Sequence, residues 1–236
     1  YHREVRLIIM MMRTRLNEEL IKLHNMLENM GDMIEQALEG SVAALANEDM
    51  DKAREIIRND RLINRQEKDI ESLCFKMILM EQPVAYDLRN VSAAIKMITD
   101  MERIGDQAAD ICDLILHIGK TSVALDYGHI SRMAEVTIQM VKKSIEAFIK
   151  SDLDLAQKVC ATDDEVDELF KSARHDLVEL IRHDVNLSEQ AIDMLMIAKY
   201  FERIGDHATN IGEWVIYAIT GEHKDYNPSV SEDEER

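Results

Sequence analysis

Apolar residues recur every three or four positions through most of this chain, the spacing that forms one buried face of an α-helix. Polar and turn-forming residues interrupt the pattern only at wide intervals, so it predicts long helices. The predicted segments lie at about 14–47, 50–80, 86–119, 125–150, 153–184 and 188–220. A helix of about 34 residues is about 50 Å long, which favours a helical bundle. Asp49, Asp152 and Ser188 precede helical runs and are predicted N-caps.

The composition favours an all-α fold. The 236 residues include two prolines, eight glycines and 15 methionines, and only 5% are aromatic. Helix breakers are therefore few, and so are the aromatic residues that are enriched in strands.

The second half of the chain repeats the first. Residues 102–106, Glu-Arg-Ile-Gly-Asp, return identically at 202–206, and residues 49–53 resemble 152–156. A repeated unit that cannot bury its apolar face alone packs on its neighbour, so we expect a pseudo-two-fold relation between the halves. The predicted architecture is two tandem three-helix bundles, at 14–119 and 125–220.

The two ends of the chain depart from this regular pattern. Residues 1–13 contain an apolar run that is too short for a signal peptide, and we expect a start-site artefact or a disordered start. Residues 221–236 are polar and rich in acidic side chains, and we expect a frayed acidic tail.

Charge and missing motifs narrow the function classes. The formal net charge of −18 argues against a nucleic-acid partner, since phosphate binding needs clustered Lys and Arg. The sequence contains no apolar stretch of about 20 residues, no glycine-rich phosphate loop and no catalytic triad motif. The isolated cysteines are expected to be buried thiols in a reducing compartment: Cys74, Cys112 and Cys160. No secretion signal or known catalytic motif is present, and we expect a cytoplasmic protein that is not an enzyme, with a metalloenzyme as the open alternative.

Acidic residues in the repeated motif share one helix face. Glu102, Asp106 and Asp110 recur at four-residue spacing, and Glu202 and Asp206 occupy the matching positions of the second copy. Such residues stack one turn above another, where like charges repel. We therefore expect a cation between the carboxylates at two places in the molecule.

A second acidic pair in each half points to the same two places. Asp60 and Asn64 lie on the first middle segment, and Asp163 and Asp167 lie on the second. Each pair is about as far before its helix–helix turn as the repeated motif is after it, so antiparallel helices bring the two together. Oxygen ligands select hard cations, such as Mg²⁺, Mn²⁺, Ca²⁺ or iron, over structural zinc.

Amide substitutions and a competing interpretation qualify these sites. Asn64 replaces a carboxylate, so we expect the first site to bind metal more weakly than the second, and Asn210 weakens the edge of the second. His207 could reach a metal, but it follows Asp206 directly and points elsewhere on a helix. Acidic pairs at this spacing also occur on solvated helix faces, so the alternative interpretation is a solvent-exposed acidic surface that binds no metal.

The chain resembles the PhoU family, which accompanies phosphate transport. The resemblance rests on the motif at 102–106, on its copy at 202–206, and on Gln-Pro-Val-Ala-Tyr-Asp-Leu-Arg at 82–89. It extends over both halves of the chain. The resemblance implies a cytoplasmic homodimer that represses the phosphate-starvation response. The implied partners are a sensor histidine kinase and the ATPase of the phosphate ABC transporter.

The resemblance also implies that the acidic motifs hold metal clusters, with iron, Mn²⁺ or Mg²⁺ as the expected ions. The expected metal ligands are Asp60, Glu102, Asp106, Asp110, Asp163, Asp167, Glu202 and Asp206. Two other functions remain open on the residues alone. One is a helical-bundle metalloenzyme with oxygen ligands, and the other is a metal-free scaffold whose acids contact a basic partner.

Overall fold

The computed structural model describes residues 2–119 and 128–222, with side chains from residue 13 onward, and within these ranges the fold is entirely helical. The helices are α1 (His2–Asn47), α2 (Met50–Glu81), α3 (Tyr86–Ile118), α4 (Gly128–Lys150), α5 (Leu153–Ala161), α6 (Asp163–His183) and α7 (Ser188–Thr220). A short 3₁₀ turn, Val185–Leu187, connects α6 to α7. The prediction of an all-α protein is confirmed.

The helices form two three-helix units that meet along α3 and α7. In the first unit α1, α2 and α3 pack on one another, and in the second α4, the α5–α6 pair and α7 do the same. Helices α3 and α7 run antiparallel, because His117 contacts Asp193 at one end and Arg89 contacts Ala218 at the other. Helix α1 also packs on α4. The predicted tandem repeat is confirmed.

Two ends of the predicted segments differ from the structure. Helix α1 begins at His2 rather than near residue 14, since no proline or glycine in this stretch ends the helix. Helix α4 begins at Gly128. Residues 120–127 lie outside the described residues, as does the predicted acidic tail from residue 223 onward.

The single helix predicted at 153–184 is wrong, because Thr162 divides it into α5 and α6. The Thr162 hydroxyl donates to the Lys158 carbonyl, and the backbone tightens to i,i+3 hydrogen bonds on both sides of Thr162. Such back-bonding by threonine bends helices. Three acidic residues follow in the first turn of α6, where the helix dipole favours them. Asp163 therefore lies at a helix N-terminus.

Two of the three predicted N-caps are present. A side-chain oxygen of Asp49 accepts from the Lys52 N–H at 3.0 Å, and Asp152 caps α5 in the same way. The prediction for Ser188 is wrong, because the preceding 3₁₀ turn brings the Val185 carbonyl within reach. The Ser188 hydroxyl donates to that carbonyl at 2.7 Å.

The core is built from long aliphatic side chains and methionine. The largest fully buried side chains include Leu23, Met30, Met77, Met101 and Phe201. The free cysteines Cys74, Cys112 and Cys160 are buried in this core, and burial raises the pKa of each thiol to about 12. Among the described helices, none combines the length and apolar character that crossing a bilayer requires.

A small residue is required where α7 crosses α5. A Cβ atom on Gly212 would lie 2.9 Å from Cys160 Sγ and 3.3 Å from the Ala156 carbonyl oxygen. Gly212→Ala should therefore destabilise the protein by about 1–3 kcal/mol through overpacking. Urea unfolding measures this loss.

Gly205→Ala is the matched control on the same helix. A Cβ atom there would meet Val166 Cγ1 at 3.4 Å, an ordinary contact. This variant should be neutral or gain up to about 1 kcal/mol, because alanine is the better helix former. Equal losses in both variants would contradict the assignment of the close contact to Gly212.

Candidate metal centre

The first acidic cluster forms where α2 faces α3. We define it as Asp60, Asn64, Glu67, Glu102 and Asp106. A Cβ atom on Gly105 would lie 3.4 Å from Asp60 Oδ1 and 3.0 Å from Ile63, so the missing side chain permits this close helix contact. The α2 pair and the α3 pair predicted from the sequence are thus brought together.

Two oxygen atoms in this cluster have no hydrogen-bond donor. Asn64 Nδ2 donates to Asp60 Oδ2 at 3.0 Å. The second carboxylate oxygen of Asp60, Oδ1, and the amide oxygen of Asn64, Oδ1, are both buried without a partner within the described ranges. Buried polar atoms are normally paired, and an unpaired one is costly. A cation would satisfy both oxygens at once.

The charges of the first cluster repel one another. Burial raises the pKa of Asp60, and the neighbouring charge of Asp106 raises it further. The pKa of Glu102 is also raised by burial and then by Asp106. Carboxylates held close together in partial burial favour either a proton or a metal ion.

Glu67 is a member of the cluster that the sequence analysis missed. Burial raises its pKa, and its charge also raises the pKa of Glu102. It lies three residues after Asn64, on the same face of α2. Helical spacing could have identified it, but its counterpart in the second half is Phe170, so the repeat gave no signal.

The second acidic cluster forms where α6 faces α7. We define it as Asp163, Asp167, Glu202 and Asp206. The Thr209 hydroxyl donates to Asp163 Oδ1 at 3.2 Å. Burial raises the pKa of Asp206 to about 6, and the charges of Glu202 and Asp163 contribute to this shift. The predicted second group of carboxylates is therefore assembled, with mutual repulsion.

Asp110, Asn210 and His207 lie instead at the contact between the two halves. Tyr200 hydrogen-bonds to Asp110, and Asn210 Nδ2 donates to Asp100 Oδ1 at 3.1 Å. These two contacts are equivalent under the 100-residue offset, so they mark the pseudo-two-fold relation. His207 Nδ1 lies 2.8 Å from the same Asp100 oxygen. The expected role of Asp110 as a metal ligand thus competes with its hydrogen bond to Tyr200, which joins α3 to α7.

The donor set fits a hard cation, but the side chains are not arranged as a closed site. Both clusters offer oxygen atoms, which Mg²⁺, Mn²⁺, Ca²⁺ and iron accept. The unpaired oxygens of Asp60 and Asn64 are the specific fit. In the described part of the chain, no three Asp, Glu, His or Cys side chains converge as a preformed metal group. Metal binding at either cluster would therefore require side-chain rotation.

Comparison with known proteins matches both halves of the chain to one family. The model of the PhoU domain matches twice, at residues 27–115 and 130–215. The two matches correspond to the two three-helix units and include both acidic clusters.

Relatives with this architecture span nearly the whole chain. A phosphate-specific transport system accessory protein PhoU homolog of Clostridium acetobutylicum is 37% identical over 92% of this chain and all of its own length. The phosphate-specific transport system accessory protein PhoU of Escherichia coli is 32% identical, over 87% of this chain and 86% of that protein. The crystal structure of PhoU from Pseudomonas aeruginosa superposes with a TM-score of 0.83 at 30% identity, covering 87% of this chain and 99% of that one.

Removal of one charge from the second cluster should stabilise the metal-free protein. The raised pKa of Asp206 means that folding favours its protonated form. Its contribution to stability is fully present below the unfolded pKa of about 3.9 and is lost as pH rises through about 6. In chelator, Asp206→Asn should therefore be more stable than wild type at pH 8, by under about 1 kcal/mol, since the side chain is only partly buried and solvent screens its charge.

Urea unfolding at pH 4, 6 and 8 checks this pH dependence. The stability difference between Asp206→Asn and wild type should grow with pH and level off above the folded pKa. A difference that is largest at pH 4 would contradict the sign of the shift.

Proposed function

The chain belongs to the PhoU domain family, and from that premise we propose that it is a cytoplasmic accessory regulator of phosphate transport that represses the phosphate-starvation response. The observation that carries this proposal is the match of the family to both repeats. The relatives are named as accessory proteins of the phosphate-specific transport system, which supports a role in regulating phosphate transport. The regulator acts through contacts with other proteins rather than by catalysis.

The proposed partners are a sensor histidine kinase and the ATPase of a phosphate ABC transporter, and the regulator works as a homodimer. Any effect on transcription passes through such a partner, because a chain with a net charge of −18 is repelled by the phosphates of DNA. The structure supplies a rigid double bundle on which charged surfaces are held at fixed positions.

We further propose that each acidic cluster binds a hard metal ion, with iron, Mn²⁺ or Mg²⁺ as the ions expected. Asp60, Asn64, Glu102 and Asp106 would hold it in the first cluster, and Asp163, Asp167, Glu202 and Asp206 in the second. A bound cation supplies positive charge that offsets the repulsion between these carboxylates. With that repulsion removed, the carboxylates of the first cluster hold α2 against α3, and those of the second hold α6 against α7.

A metal-free scaffold is the second candidate. It is favoured by the fact that no three donors converge in the described residues, and by Lys199, whose ammonium group already contacts Glu202. In this alternative the carboxylates contact a basic surface of a partner directly. Measurement of the metal bound by the protein distinguishes the two functions.

Loss of the repeated acids should remove metal from one cluster only. Glu102→Ala with Asp106→Ala is expected to lower bound Mn²⁺ by one cluster's content, measured by metal analysis after equilibrium dialysis of chelator-washed protein. A metal that binds the folded state also raises stability, by about 2.7 kcal/mol at a hundredfold excess over Kd.

The matched control removes another pair at the same spacing. Asp51→Ala with Glu55→Ala deletes two exposed carboxylates of α2 and leaves both clusters intact. It should keep the wild-type metal content. Equal metal content in wild type, control and double variant would exclude the repeated motif as a ligand and favour the metal-free scaffold.

Deletion of the gene should derepress the phosphate-starvation response. In a host with the kinase and transporter present, we expect phosphate-scavenging genes to be transcribed despite abundant phosphate. A pull-down with the full chain should recover the kinase or the transporter ATPase. Normal repression in the deletion strain, with no related copy in the genome, would show that the proposed function is wrong.

A further inference from the structure

The two acidic clusters differ at three equivalent positions, of which the first is Asn64 against Asp167 at the 103-residue offset. Lys199 of α7 corresponds to Thr99 of α3 at the 100-residue offset. Phe170 of α6 corresponds to Glu67 of α2 at the 103-residue offset. Each cluster therefore has four carboxylates, and the second has a lysine and an aromatic ring in addition.

Lys199 holds its ammonium group within the second cluster. Its Nζ lies 2.5 Å from the carboxylate of Glu202 and 5.4 Å from the ring centroid of Phe170. The Glu202 side chain is 15% exposed and that of Lys199 is 40% exposed, so this ion pair is partly shielded from solvent. The lysine charge also opposes the rise in the pKa of Asp206. A cation of the chain itself thus occupies the second cluster.

The first cluster has a weaker internal cation. Arg103 lies 3.7 Å from Glu102 and 3.5 Å from Asp106, and its side chain is 59% exposed. These contacts are too long for strong hydrogen bonds. The oxygens Asp60 Oδ1 and Asn64 Oδ1 remain buried without a donor in the described structure. Glu202 Oε2 of the second cluster also lacks a hydrogen bond in the described structure, but Lys199 Nζ lies 2.5 Å from it, so the first cluster keeps the larger unmet demand for a cation.

We propose that Lys199 is a tethered cation that competes with a hard divalent ion for the second acidic cluster, so that the first cluster is the tighter metal site. This inference rests on the proposed metal-binding function. It reverses the order expected from Asn64 alone, since Glu67 compensates for that amide and Lys199 has no counterpart in the first repeat.

The consequence is that the two clusters fill at different metal concentrations. The long stem of Lys199 can carry the ammonium group out of the cluster, but only by giving up its contacts with Glu202 and Phe170. The ion binds only molecules in which the lysine has left the cluster. The apparent Kd of the second cluster therefore equals the intrinsic Kd divided by the fraction of such molecules. A protein with two unequal sites responds in two steps as the ion becomes available.

The test measures Mn²⁺ binding to the second cluster alone. Glu102→Gln with Asp106→Asn disables the first cluster in the full chain, and Lys199→Met is added to this background. Free Mn²⁺ is followed by electron paramagnetic resonance during titration. We expect Lys199→Met to tighten Kd by about tenfold or more, because a charge-assisted hydrogen bond no longer opposes the ion. Lys199→Arg retains the charge and should not tighten it.

The matched control is Lys96→Met. Lys96 also lies over an aromatic ring, 6.0 Å from the centroid of Trp214, but the residue belongs to neither cluster. It removes the same net charge and should leave Kd unchanged. An unchanged or weaker Kd in Lys199→Met relative to Lys96→Met would overturn the proposal.

A metal-free measurement separates competition from simple support of the fold. In chelator at pH 8, Lys199→Met should melt at a lower temperature than Lys96→Met, and Mn²⁺ should restore more of the loss in the Lys199 variant. A melting temperature equal to that of Lys96→Met would overturn the role of Lys199 as an internal cation.

The outcome also distinguishes this inference from the proposed function. Mn²⁺ binding at the first cluster, together with a Kd of the second cluster that substitution of Lys199 does not change, would refute the inference alone. No Mn²⁺ binding by the protein with both clusters intact would refute the metal-binding function and this inference together.

Discussion

The antiparallel packing of α3 against α7 is the contact on which the rest of the structure depends. Each three-helix unit packs one face of its last helix on the other unit, and the buried side chains of these two helices include Met97, Met101 and Ile104 in α3 and Phe201 and Ile204 in α7. Burial of such side chains contributes about 1.5–3 kcal/mol each, so neither unit is stable with this face exposed. We call the contact between α3 and α7 the seam. Polar contacts fix its register, since the Asp100–Asn210 contact is equivalent to the Tyr200–Asp110 contact under the internal repeat.

The seam also determines what each acidic cluster can do. Glu102 and Glu202 lie on the seam helices, while their acidic partners lie on the middle helix of the same unit. Each cluster is therefore assembled within one repeat and is held rigid by the other. An ion that draws the carboxylates of one cluster together acts on a helix that is packed along its length against its counterpart. If the clusters bind metal as proposed, this connection would give a route by which occupancy of one cluster alters the surface of the whole bundle, because packed helices move as units.

The sequence was sufficient for the fold because periodicity and the internal repeat are properties of many residues at once. The pairing of Asp60 with Asp106, and of Asp163 with Asp206, followed from the equal distances to each helix–helix turn. Details that depend on one side chain could not be predicted in this way. Thr162 breaks a helix through a single hydroxyl, and the 3₁₀ turn before α7 removes the capping role of Ser188. Asp110 was placed on the metal face by its spacing, although its helix turns it towards Tyr200.

The neighbours of the repeated acids explain why identical motifs need not be equivalent sites. Glu-Arg-Ile-Gly-Asp occurs unchanged in both halves, yet a carboxylate gains or loses affinity for a cation through every charge within a few ångströms. Those charges come from positions that the motif does not include. Glu67 adds a negative charge beside one copy, and Lys199 adds a positive charge, steadied by Phe170, beside the other. Lys199 lies one helical turn before its motif on α7, whereas Glu67 lies on α2, one turn after Asn64, so both are identified only when the two repeats are compared at positions where they differ. Under the proposed metal-binding function, identity between the repeats indicates where an ion would bind, and the differences would determine how tightly each site binds it.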